Sequence, residues 1–169
     1  MNELAHKPIV KTLHWPNEAA TQAFADQLAA HPALRKAFIE LRGDLGAGKT
    51  TLVRHLLRAL GVEGRIKSPT YAVVEPYELP LRYDPDAQLN IWHFDFYRFR
   101  DPRETEDAGF RDIFASEGLK LAEWPDKAAG FLPRADLVIQ IEVLDDESRQ
   151  VLLTAQTDIG RALLQNVAP

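Results

Sequence analysis

Polar and apolar positions alternate with two different periods along this chain. In the stretch HWPNEAATQAFADQLAA, Ala20, Phe24 and Leu28 recur at helical spacing, Pro16 and Asn17 sit where a cap belongs, and His31-Pro32 ends the run. Lys49 to Leu60 is the clearest helix. Leu52, Leu56 and Leu60 form one stripe, Val53 and Leu57 widen it, and Gly61 stands at the C-cap position. Between these helices, AFIEL (37–41) is a short apolar run that suits a buried strand.

The second half reads mostly as strands. TYAVVEPYEL, a turn at YDPDAQ, and LNIWHFDFYRF come first, followed by a helix start at Asp101-Pro102-Arg103-Glu104. GLKLAEW and ADLVIQIEVL are further strands, RQVLLTAQ pairs with the latter across DDES, and Asp158 to Asn166 closes the chain as a helix. Strands alternating with helices predict an α/β protein of one domain over residues 1–169. Its sheet is expected to be central, mixed and mainly parallel, between helical layers.

Composition narrows the function classes. With no cysteine, thiolate metal sites, disulfides and cysteine nucleophiles are excluded. A net charge of -5 argues against binding nucleic acid by bulk electrostatics, and Arg54, His55 and Arg58 read as a solvated helix face. No segment approaches the roughly 20 apolar residues needed to cross a bilayer. The N-terminal residues lack the apolar core of a secretory signal, so the expected location is the cytoplasm.

The chemistry centres on the junction of AFIEL with the Lys49 helix. Gly43-Asp44-Leu45-Gly46-Ala47-Gly48-Lys49-Thr50 fits the phosphate-loop pattern G-x-x-x-x-G-K-S/T without a mismatch. Glycines let the backbone approach phosphate oxygens, and successive N–H groups form an anion nest at the positive end of the following helix. Lys49 is placed to reach the β and γ phosphates, and the Thr50 hydroxyl to ligate Mg²⁺.

Such a loop needs an acidic companion, and Asp95 near the end of LNIWHFD is the expected one, with His93 on the same face. A histidine in an apolar strand is ordinarily a satisfied core residue. Glu123, ending LAE, could join the metal or position the attacking water, and Trp124 could be core or lie against a purine. Ser68 and Thr70 in KSPTY could sense the γ-phosphate. Arg98, Arg100 and Arg103 could neutralise transition-state charge or form surface ion pairs. The guanine-reading pattern N/T-K-x-D is missing after the loop, which favours adenine.

GDLGAGKTT, SPTY, HFDFYR and EWPD together resemble the bacterial TsaE (YjeE) family, over essentially the whole chain. The resemblance implies a P-loop fold that binds ATP and Mg²⁺ and acts with the TsaB–TsaD heterodimer. TsaD transfers a threonylcarbamoyl group to adenosine 37 of tRNAs that read ANN codons, so tRNA is met through the complex. It further implies a weak ATPase that responds to those partners, with Asp44 to Thr51 around the phosphates and Asp95 as the metal-associated aspartate. Glu123 becomes the activity-critical glutamate, Trp124 the tryptophan near the nucleotide, and Thr70 the threonine of a switch-like loop. Asp126 and Phe96 depart from the residues many members carry there. The rivals are a small-molecule kinase, which would need an Arg-rich lid, and a non-enzymatic scaffold assembled by ATP binding alone.

Overall fold

A computed structural model describes residues 7–66, 69, 73–81, 84–107, 109–165 and 167. Seven strands form one sheet: β1 (Ile9–Trp15), β2 (Phe38–Arg42), β3 (Val74–Leu81), β4 (Asp84–Asp95), β5 (Leu119–Glu123), β6 (Leu137–Val143) and β7 (Arg149–Ala155). Their order across the sheet is β1-β7-β6-β2-β5-β4-β3. The four central strands β6, β2, β5 and β4 run parallel; β7 pairs antiparallel with β6, β1 antiparallel with β7, and β3 antiparallel with β4. The mixed α/β architecture with a parallel centre agrees with the sequence pattern.

Central strands of a parallel sheet are covered on both faces, and β5 is buried at every position. One face packs against α1 (Glu18–Ala29), α2 (Lys49–Leu60) and α5 (Asp158–Leu164) through a large aliphatic core. The opposite face of β2, β5 and β4 meets α4 (Phe110–Ala115), which follows α3 (Glu104–Asp107), and the 128–135 segment through an aromatic cluster. There Phe94 stacks on Phe96 and Phe114 with ring centroids 5.5 and 4.9 Å apart.

That second layer reaches Val138 at the start of β6 but does not cover the rest of β6, β7 or β1. Their inner face buries Leu13, Trp15, Ile139, Ile141, Val151 and Leu153, but on the outer face Val10, Thr12, Gln140, Leu152 and Gln150 are exposed. The flank is thus a half-covered antiparallel sheet in which buried and exposed positions alternate, as expected when one face meets water, until Ile9 and Val143 at the strand ends are exposed as well.

Several elements differ from the sequence reading. The helix expected from Asp101 is only the short α3, and α4 is a separate helix after Gly109. The turns 32–36 and 125–128 are helical. Two strands also depart from it. Strand β1 is absent from the predicted pattern because only Leu13 and Trp15 of its seven residues are buried. Its register is supplied by β7, with Leu13 opposite Val151. Strand β4 begins at Asp84, so the DPDAQ residues expected in a turn extend the strand, with a register shift between Pro80 and Leu81. The remainder agrees closely: α1 is capped by Asn17 Oδ1, which accepts from Ala20 N at 3.2 Å, and α2 ends on Gly61. His55 pairs with Glu18 on the outer face of these helices, at 3.0 Å.

Candidate active site

In the order of strands along the chain, the connection after β5 crosses β2 to reach β6. The crevice beyond the carboxyl end of β2 therefore lies at a topological switch point, where open α/β sheets bind ligands. The loop 43–48 occupies it. Gly43 has φ 147°, and a Cβ there would stand 2.5 Å from the Ile141 carbonyl oxygen of β6. This glycine is required by close packing, which lets the loop start flush against the neighbouring strand. Gly48, at φ 110°, caps α2 with no side-chain hydrogen bond to its amides, whereas α1 and α5 carry Asn17 and Thr157 caps. The leading N–H groups of α2 are therefore left for an external anion.

Lys49 is only 4% exposed. Its Nζ donates to Gly43 O at 2.5 Å and lies 3.6 Å from the centroid of the Trp124 ring. Burial pushes the Lys49 pKa down, against the opposing pull of Glu123, Asp95 and Asp44. The ammonium is thus held at the loop's mouth by a carbonyl and an aromatic face, partners that phosphate oxygens can replace.

Three oxygen-bearing side chains converge opposite it. β4 and β5 set Asp95 directly beside Glu123 in parallel register, and β2 aligns Leu41 with Glu123. Thr50 Oγ1 donates to Glu123 Oε1 at 2.9 Å. The other carboxylate oxygen, Oε2, lies 2.6 Å from His93 Nε2. Burial raises the Asp95 pKa; its Oδ1 accepts from Tyr97 N at 3.0 Å, which works in the opposite direction.

This all-oxygen donor set suits Mg²⁺, which keeps several waters and binds through one or two carboxylates together with phosphate. Among the described residues no group of three or more His, Cys, Asp or Glu forms a self-sufficient metal cage.

The predicted residues Lys49, Thr50, Asp95, Glu123 and Trp124 are thus brought together. Thr51 faces the other way, into a cleft between Trp15, Asn17 and Thr21 on one side and Glu147 and Arg149 on the other. Trp124, with positive φ 55°, is on the Lys49 side and packs against Tyr97 at 5.0 Å. Asp44 rims the Lys49 side, while Leu45 is 75% exposed at the loop tip. Ser68 and Thr70 lie outside the described residues. Arg103 pairs with Asp101 at 2.9 Å, and Arg98 and Arg100 line an open hollow with Tyr97 and Lys127.

Sequence reasoning missed Arg149. From β7 it donates through Nε to Ala47 O at 2.9 Å, gripping the loop from behind. No local motif marks it, since 102 residues separate the partners.

Three comparisons bear on this site. The family model described as "Threonylcarbamoyl adenosine biosynthesis protein TsaE" matches residues 15–151. The chain is 42% identical to the tRNA threonylcarbamoyladenosine biosynthesis protein TsaE of Haemophilus influenzae over 141 residues, 83% of this chain and 84% of that one. Its identity to the Bacillus subtilis protein of the same name is 34% over 148 residues, 86% and 87% of the two chains. A crystal structure of Bacillus subtilis YdiB superposes with a TM-score of 0.75 at 28% identity, covering 95% of each chain.

Proposed function

The chain belongs to the TsaE family of tRNA threonylcarbamoyladenosine biosynthesis proteins, and from that premise we propose that it is a Mg²⁺-dependent ATPase serving the modification of tRNA adenosine 37. It works with the TsaB–TsaD heterodimer and meets tRNA through that complex. The observation that carries the reading is the contact of Thr50 Oγ1 with Glu123 Oε1 at 2.9 Å, beside Asp95 and across from Lys49.

In this reading the amides of Gly46 to Thr51 cradle the triphosphate. Lys49 exchanges Gly43 O and the Trp124 face for the β and γ phosphate oxygens. Because Thr51, next to Thr50 in the chain, lines the cleft with Trp15, Asn17 and Arg149, the nucleoside half extends there. Trp124 then stands beside the terminal phosphate and away from the base. Bound Mg²⁺ supplies charge neutralisation on the transferring phosphoryl group. Thr50 and Asp95 are the residues that would hold it and its waters. Glu123 orients the attacking water and takes its proton as the new oxygen–phosphorus bond forms and the bridging bond to ADP breaks.

Calorimetry with Mg²⁺ and ATP, and phosphate release with and without purified TsaB–TsaD and tRNA, test the reading. Binding, slow turnover alone and faster turnover with partners are expected. Absence of binding, or phosphate delivered to an acceptor other than water, overturns it.

A further inference from the structure

We propose that His93 is a positioning residue that sets the orientation of the Glu123 carboxylate for hydrolysis and leaves nucleotide affinity untouched. This rests on the ATPase reading of the same site. His93 is one rung deeper in the sheet than the Asp95–Glu123 pair, opposite Leu121 on β5, and is 1% exposed. It therefore cannot meet a nucleotide held at the loop's mouth and acts only through a neighbour. That neighbour is Glu123, 2% exposed, whose two oxygens are held from two sides by Thr50 Oγ1 at 2.9 Å and His93 Nε2 at 2.6 Å.

A carboxylate in so dry a place needs a donor on each oxygen. Thr50 is a shared donor, because its oxygen also faces the phosphate and metal end of the site. His93 is the constant one. With the imidazole fixed in a strand, the carboxylate plane is fixed too, and with it the direction in which Oε1 presents itself to Thr50 and to water.

The other imidazole nitrogen argues against a purely structural histidine. Nδ1 is buried and has no hydrogen-bond partner among the described residues. Leaving a buried polar atom unpaired destabilises the fold, so a residue kept only for packing would be better served by an apolar side chain. The orphaned Nδ1 also suits the tautomer protonated at Nε2, the one that donates to Glu123.

Two variants and one spectrum test this. His93→Leu removes the donor and His93→Gln keeps an N–H donor on a side chain of similar reach. The expected result is a fall in kcat of about 10- to 100-fold for His93→Leu, the cost of a misplaced catalytic group. ATP dissociation constants should stay within about twofold of the parent, and His93→Gln should recover most of the turnover. Imidazole ¹⁵N spectra of the nucleotide-free parent should show His93 as the Nε2–H tautomer, with a proton signal that moves upfield in Glu123→Gln.

Parent-like turnover in His93→Leu overturns the proposal, as does equal loss of affinity and turnover in both variants. An Nδ1–H tautomer overturns it without any variant at His93. A parent that hydrolyses no ATP even with TsaB–TsaD overturns the ATPase reading, while the spectrum still decides whether His93 holds Glu123.

Discussion

The carboxyl ends of β2, β4 and β5 and the antiparallel flank β6–β7–β1 belong to one sheet but follow opposite rules. On the flank, side chains obey simple alternation: Leu13, Val151 and Ile139 inside, Thr12, Gln150 and Gln140 outside. At the strand ends and at the start of α2 beside them, His93, Glu123 and Lys49 are buried although they are polar or charged. The flank is arranged for folding. The strand ends keep desolvated charge that folding alone would discard, and that excess is the physical mark of the site.

This contrast can be broken by experiment, beginning with the largest effect. Glu123→Ala should slow ATP hydrolysis about 10²-fold or more, the contribution of a positioned base, with phosphate release as the measurement. Lys49→Ala should weaken ATP binding about 10- to 100-fold by calorimetry, matching the ~1.5–3 kcal/mol of a hydrogen bond to a charged group. Gly43→Ala forces a Cβ onto the Ile141 carbonyl at 2.5 Å. It should cost about 1–3 kcal/mol in denaturant unfolding, in the range of an overpacked core.

Asp95 gives the sharper test, because its effect on stability has the opposite sign. Burial raises its pKa, so the folded protein keeps the proton to higher pH than the unfolded chain does. Folding is therefore penalised increasingly as pH climbs above the ordinary aspartate range, and the penalty is complete once pH has passed the raised folded-state pKa. Asp95→Asn should raise the melting temperature of the nucleotide-free protein near pH 7 while lowering hydrolysis, and the stability gain should fade as pH falls toward 4. On the flank, Leu152→Thr, at an exposed position, should change stability by no more than about 0.5 kcal/mol in either direction. An Asp95→Asn variant less stable than the parent, or a Leu152→Thr variant with impaired turnover, would erase the contrast.

The same contrast explains what could be read from the residues alone. The loop, α2 and its cap were legible because their signals are local: glycines, a lysine and a leucine stripe within nineteen positions. Asp95 and Glu123 were legible because each ends an apolar strand. Their adjacency was not, since it depends on β5 inserting between β2 and β4. The His93–Glu123 contact likewise spans thirty residues and exists only through that insertion. Strand β1 escaped notice because Ile9 and Val10 point to solvent, and its ladder partner lies near the other end of the chain.

The seat of the Lys49 ammonium against Trp124, 3.6 Å from the ring centre, has an optical consequence. A cation that close perturbs the excited indole, and drawing it away toward phosphate removes the perturbation. The protein carries its own fluorophore gauge of occupancy, readable in a Trp15→Phe, Trp92→Phe background without any added dye. A titration of that emission would follow the lysine itself as it changes partners.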